Sequence, residues 1–205
     1  MSNKSSHYVI VEQEGPRKCP IMGEGDLNAK NIRQYDDYCN GYFDVKDIPA
    51  DKQVRKVIAG IHDQWMKDHI STNHPCIIAL TFPEFIKELK DNWLDKNWEA
   101  VMRVQLLRMV QNHDQSFHDY LVSLLVQNFL LMGTTSHLSN AKLHHQLEAG
   151  LELRLSQKVQ NDTIIAALDP DNLVNWNIEV KCVDDALHAE MLHFEEIATH
   201  NHNRS

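Results

Sequence analysis

An all-α fold is the expectation from the pattern of apolar residues along these 205 positions. Over most of the chain they recur at steps of three and four, the spacing of one helix face. The strict apolar–polar alternation of a half-buried strand is nearly absent. Capping residues and Pro/Gly punctuation fall between the periodic stretches, where helix ends would place them. With 42% apolar and 24% charged residues, the chain is of ordinary globular composition and has length for one large domain or two small ones.

Residues 1–26 carry Gly15, Gly23, Gly25, Pro16 and Pro20, which argues against a continuous helix. They are read as a flexible leader in which only Tyr8 to Val11 is suited to a short strand. Asp26 is a candidate cap for a helix with Ile32, Tyr35, Cys39 and Tyr42 on one face, ended or loosened by Asn40-Gly41. Pro49 opens the next helix, at a position where its missing N–H costs nothing, and Val54, Val57, Ile58 and Ile61 make its face. Asp63 caps a third helix with Trp65, Met66 and Ile70, and residues 71–80, with Pro75, are a loop.

Thr81 and Glu84 have the spacing of a capping box, with Phe82, Phe85, Leu89 and Trp93 forming the stripe behind it. Asp95 restarts a helix that turns Trp98, Val101, Met102 and Met109 inward. Asp114 or Ser116 begins another, with Phe117, Tyr120, Leu121, Leu124 and Leu131 on the core side and Gly133 after it. Ser139 caps a helix through Leu143 and Leu147, and Gly150 breaks it before Leu151 and Leu155. After Asp169-Pro170, with Asp171 as cap, Leu173, Trp176, Val180, Val183, Leu187, Met191, Phe194 and Ile197 follow steps of three or four. At ~1.5 Å per residue that is a helix roughly 35–40 Å long, packed on its own domain or paired in an intermolecular coil. Residues 199–205 are read as a disordered tail.

Several chemistries are not supported. The net charge is −9, and a compact basic pair such as Arg17-Lys18 is a poor footprint for nucleic acid. The single cysteines Cys19, Cys39, Cys76 and Cys182 form no Cys-x-x-Cys pair, so free thiols in a reducing compartment are expected. No apolar run reaches the ~20 residues of a membrane helix, and no signal-peptide core follows Met1. Of the thirteen histidines, His144-His145, His188, His193, His200 and His202 are densest, but His188 and His193 lie about 140° apart on a helix. His188-Ala189-Glu190 lacks the Pro-Cys-x-x-Cys of a zinc deaminase, Asp162-Thr163 lacks the glycine of an aspartic protease, and Gly23 and Gly25 do not continue into a phosphate loop. The expectation is no enzyme, no cofactor and no metal site. Asp184-Asp185 and Glu195-Glu196 read as solvated carboxylates. Asn128, within an apolar helix, is either a satisfied buried amide or a contact residue.

The order of these segments resembles the Gag capsid proteins of gypsy-type long-terminal-repeat retrotransposons, in particular those of fungi. The resemblance spans about Leu27 to Leu187. It rests on Gly41-Tyr-Phe43, Phe82 to Leu89, Leu94 to Trp98, Gln111 to Tyr120, Asn128 to Gly133 and the closing Leu147-Glu-Ala-Gly-Leu151.

The resemblance implies a two-lobed, retroviral-capsid-like helical protein, with an N-terminal lobe at 27–94 and a C-terminal lobe at 95–198. Gln111, Gln115, Ser116 and Tyr120 stand where retroviral capsids carry their major homology region, although the Gln-Gly pair and usual Glu are missing. The function implied is self-assembly into a virus-like shell around RNA in the cytoplasm, without catalysis and without a membrane. RNA would be held through a basic zinc-knuckle tail that this segment lacks. Phe129, Leu130, Leu138, Trp176 and Leu187 are the candidates for assembly contacts. The alternative is a domesticated Gag-like adaptor, monomeric or dimeric, that takes a peptide in a groove lined by Tyr35, Tyr38, Trp65 and Trp93.

Overall fold

A computed structural model describes residues 8–169 and 172–202 of the chain. It is 68% helical with one two-stranded sheet, which makes the fold all-α. The chain divides into two compact units, Met1–Trp98 and Glu99–Ser205. The break falls just beyond the expected Leu94-Asp95 boundary, because Leu94 is buried in the core of the first unit and Trp98 packs against the same core. No helix among the described residues is long and apolar enough to cross a membrane.

The first unit opens with a small antiparallel sheet of β1 (Val11–Glu12) and β2 (Ile21–Met22), in register Val11 with Met22. Residues 8–26 therefore are not the flexible leader expected from their glycines and prolines; residues 1–7 lie outside the described residues. Val9, Val11 and Met22 are buried, and Met22 bridges on to Ile61. Gly60 permits that docking. A Cβ there would sit 2.0 Å from the Pro20 carbonyl oxygen, a distance no side chain tolerates.

Helix α1 (Ala29–Lys46) is capped by Asn28, whose side chain accepts the Asn31 N–H, and not by Asp26. It runs through Asn40-Gly41 without a break, since burial of Ile32, Tyr35, Cys39 and Phe43 outweighs one glycine at about 1 kcal/mol. Asp47, in the left-handed region at φ 49°, ends it. Helix α2 (Ala50–Val57) follows Pro49, and α3 (Gln64–Thr72) is capped by Asp63. The expected loop at 71–80 contains a short helix, α4 (His74–Ile77), with Pro75 in its first turn. The Thr81–Glu84 capping box forms as expected at the head of α5 (Phe82–Trp93). Phe43 and Phe82 meet edge to face at 4.8 Å and tie α1 to α5.

In the second unit, α6 (Trp98–Leu107) buries Leu106, while Val101 points outward at 50% exposure and Met109 lies beyond the helix end. Ser116, not Asp114, caps α7 (Phe117–Leu130). Next come α8 (Asn140–Ala149), α9 (Leu153–Gln160) and the short α10 (Thr163–Ala166). The last helix, α11 (Leu173–His202), packs on α7, α8, α9 and α10. The expected cap Asp171 lies outside the described residues; Asn172 Oδ1 accepts the Asn175 N–H. Helix α11 continues to His202, so residues 199–202, expected in a disordered tail, are helical. Its inward stripe buries Leu173, Trp176, Val180, Asp184 and Leu187, and beyond Met191 every side chain from Leu192 to His200 is exposed.

Candidate functional site

The most elaborate polar construction in the second unit joins the turn before α7 to the α8–α9 junction. Gln111 is its centre and is 7% exposed. Its backbone N–H donates to the Gly150 carbonyl at 2.7 Å, its side-chain Oε1 accepts the Glu152 N–H at 3.1 Å, and its Nε2 donates to the Gln115 carbonyl at 2.9 Å. Gln115 closes the turn by accepting the Asn112 N–H on Oε1 at 3.2 Å. Ser116 then caps α7 by accepting the Asp119 N–H, and its hydroxyl donates to the Asp119 carboxylate at 2.8 Å.

Tyr120, one turn into α7, reaches back beneath this turn. Its hydroxyl lies 3.4 Å from the Met109 carbonyl and 3.3 Å from the Gln146 carbonyl, and burial pushes its pKa up to about 12. Gly150 accounts for the fit: a Cβ on it would lie 2.0 Å from the Tyr120 hydroxyl and 2.9 Å from the Met109 carbonyl oxygen. Gln111, Gln115, Ser116 and Tyr120 are thus brought together around one turn. What the arrangement does is fix the orientation of α7 against α8 and α9. Its polar atoms are engaged with one another, and the described contacts include no nucleophile–base pair.

Sequence reasoning missed two members. Asp184 is 4% exposed and accepts the Phe117 N–H at 2.8 Å, so α11 supplies a second cap to α7 from 67 residues away. That overturns its reading as a solvated carboxylate; Asp185 does stay outside, beside Lys181. The signal was its place between Val180 and Leu187 on the inward stripe, where a polar residue needs a partner. Glu152 caps α9 by accepting the Arg154 and Leu155 N–H groups. Nearby, Asn128 proves a satisfied buried amide, taking the Leu138 N–H at 2.8 Å and donating to the Leu138 carbonyl at 3.1 Å. Glu99 receives the Ser136 N–H and the Thr135 hydroxyl, and hydrogen bonding by the Ser136 side chain, with Thr135 adding to it, holds its carboxyl below the usual range.

The assembly candidates divide. Phe129 lies at the surface, 40% exposed. Leu130, Leu138, Trp176 and Leu187 are between 3% and 8% exposed and belong to the core, because each falls on the inward stripe of its helix or loop. They are core residues and not surface contacts. The outward face of α7 consists instead of Val122, Leu125, Val126 and Phe129, with Met132 exposed in the turn that follows, and α6 exposes Val101, Val104 and Leu107.

The groove candidates also separate. Tyr35 is fully buried and donates to the Val57 carbonyl at 2.9 Å, so it is a core tyrosine. Trp65 is 78% exposed, on the opposite face of α3 from Met66 and Ile70, while Tyr38 and Trp93 are half-buried against the core. Tyr35, being buried, cannot line an open groove with them.

One cluster has metal-ligand chemistry. His144, His145 and Glu148 on α8 place their ligand atoms within 4.8 Å of one another. The His144 ring meets Trp176 edge-on at 4.6 Å, and neither of its nitrogens has a hydrogen-bond partner. Burial pushes its pKa down, opposed by the Glu148 charge.

No protein-family model, curated protein or solved structure matches the chain.

Proposed function

We propose that this chain is a self-assembling structural protein of capsid type, whose copies associate into a shell around RNA in the cytoplasm without catalysing a reaction. The observation that carries the reading is helix α7, apolar on both faces. Phe117, Tyr120, Leu124 and Asn128 face the core, while Val122, Leu125 and Val126 face outward at 39–47% exposure. A helix that is hydrophobic all round is one meant to be covered on both sides. Residues 121–133 contain no charged side chain, in a chain of net charge −9. A charged patch would repel its own copy, whereas a neutral apolar face is complementary to itself, as a two-fold contact requires.

Two further features support the reading. The hydrogen-bonded turn at Gln111 holds α7 rigidly, so that its outer face is presented in one orientation. The segment order resembles gypsy-type Gag proteins, which assemble by repeating weak contacts between symmetric copies. The net charge of −9 disfavours strong RNA binding by the chain as a whole, so the reading places its weight on contacts between copies.

Light scattering and negative-stain microscopy on the purified chain, at low and high phosphate and with added RNA, test the proposal. Closed shells or tubes are expected from the wild type, and loss of them from Leu125→Asp and Val126→Asp with unchanged circular dichroism. A monomer at every concentration under all these conditions would overturn it, as would full assembly of both variants.

A further inference from the structure

His144 presents an unusual combination on α8. It is more than nine-tenths buried at 8% exposure, yet neither ring nitrogen meets a hydrogen-bonding group. A neutral imidazole carries one donor and one acceptor, and leaving both unmet inside a protein is costly. The ring is fixed by packing: Trp176 lies edge-on at 4.6 Å and 88°, and Trp176 is itself held by Phe117 at 5.9 Å. His144 also borders a cleft of about 350 Å³ whose wall includes Glu148, Gln160 and Trp176. A rigid imidazole with unsatisfied nitrogens beside a cleft is suited to an incoming ligand that accepts its lone pair.

The neighbours supply the rest of a donor set. Glu148 stands four residues on, one turn along the same face, and His145 adjoins His144 with ring centroids 5.7 Å apart. We propose that His144, His145 and Glu148 form a binding site for a divalent transition-metal ion of the zinc, nickel or copper class, independently of the assembly function. Two imidazoles and one carboxylate suit these borderline ions, whereas calcium and magnesium prefer all-oxygen shells. The ligand atoms lie within 4.8 Å of one another, against the roughly 3.4 Å edge of a tetrahedron with ~2.0–2.1 Å bonds. His145 is exposed and Glu148 half-buried, so side-chain rotation alone closes the difference while His144 stays in place. Three protein donors leave the fourth position to water or to a group from a partner.

The test uses Zn²⁺ alone, titrated calorimetrically at pH 7.5 into the full chain and into three variants. His145→Ala and Glu148→Gln remove proposed ligands, and a His200→Ala/His202→Ala double variant removes competing histidines near the C-terminus. One equivalent of Zn²⁺ with a micromolar Kd is expected for the wild type and the double variant, together with a rise in Tm. His145→Ala and Glu148→Gln should each weaken binding at least tenfold with unchanged circular dichroism. The proposal is overturned by a wild type that takes up no Zn²⁺. It is equally overturned if binding survives both ligand changes, or disappears in the His200/His202 variant.

Discussion

Gly150→Ala should destabilise the second unit, although local backbone geometry alone argues the opposite. Gly150 has φ −98° and ψ 2°, which alanine adopts without strain. Where that holds, Gly→Ala usually stabilises by about 0.4–1 kcal/mol, through the unfolded state. Here the new Cβ would stand 2.0 Å from the Tyr120 hydroxyl. Restoring an ordinary contact needs a shift of about 1.4 Å in the Tyr120 ring, which its buried neighbours resist. Overpacking of this kind costs about 1–3 kcal/mol, and losing the tyrosine's bonds to the Met109 and Gln146 carbonyls adds about 1 kcal/mol. The net expectation is a loss of about 2–3 kcal/mol, or roughly 10 °C or more in Tm for a domain of this size.

A double-mutant cycle with Tyr120→Phe isolates the contact. Tyr120→Phe alone should cost about 1 kcal/mol. In the double variant the hydroxyl is gone, and only the approaches of 2.9 Å to the Met109 oxygen and to the tyrosine ring carbon remain. The two changes should therefore be less than additive by about 1 kcal/mol, read from urea unfolding followed by circular dichroism. If Gly150→Ala is neutral or stabilising, or the cycle is additive within error, Tyr120 does not pack on Gly150 and the account of this junction fails.

Asp184→Ala should lose about 1–2 kcal/mol, the usual worth of a helix cap, and Asp184→Asn less, because the amide oxygen still accepts the Phe117 N–H; equal urea midpoints for all three proteins would contradict the tertiary cap. Gln111→Leu keeps the side-chain bulk but strands the Glu152 N–H and the Gln115 carbonyl, and should cost about 2–4 kcal/mol in the same assay. For His144, burial lowers the native pKa below the unfolded value of about 6.5, so below that value the unfolded chain binds more protons than the native one. Its contribution is thus fully present above about pH 6.5 and is lost as pH falls toward the depressed native value. Neighbouring Glu148 and His145 modulate this in opposite senses. The stability difference between wild type and His144→Phe, measured from pH 7.5 to 5, should move against the wild type as pH falls; a flat difference would remove burial as the cause.

The elements were legible where one local rule decided them. The Thr81–Glu84 box, the Asp63 and Ser116 caps and the inward stripes of α5, α7 and the first half of α11 all follow from spacing within a single turn or face. Expectations failed where a distant partner decided. Gly41 does not break α1 because Cys39 and Phe43 are held by the core around them, a tertiary effect that no helix propensity contains. The stretch 8–26 is ordered because Gly60 lets the Pro20 backbone approach, and nothing near Pro20 in the sequence announces that. Apolar stripes located the core but could not divide it from the outer surface on a two-faced helix, so Leu130, expected at a contact, is buried while Val122 and Leu125 on the same helix face outward.

The polar residues of the second unit show the same division more sharply. Gln111, Asn128 and Asp184 are each buried, and each satisfies backbone groups that no helix ladder reaches: the N–H groups of Glu152, Leu138 and Phe117. All three bonds bridge elements, and at 41, 10 and 67 residues of separation they specify how the helices meet rather than whether they form. An apolar replacement at any of them leaves the helical pattern intact on paper and a buried donor unmet in the fold. For a protein proposed to repeat one contact surface across many copies, this has a functional consequence. Under that proposal the angle of α7 relative to its own domain is passed on to every neighbour, so the polar latches at its N-terminal and C-terminal ends would set the geometry of assembly, and its outer apolar face would supply the attraction.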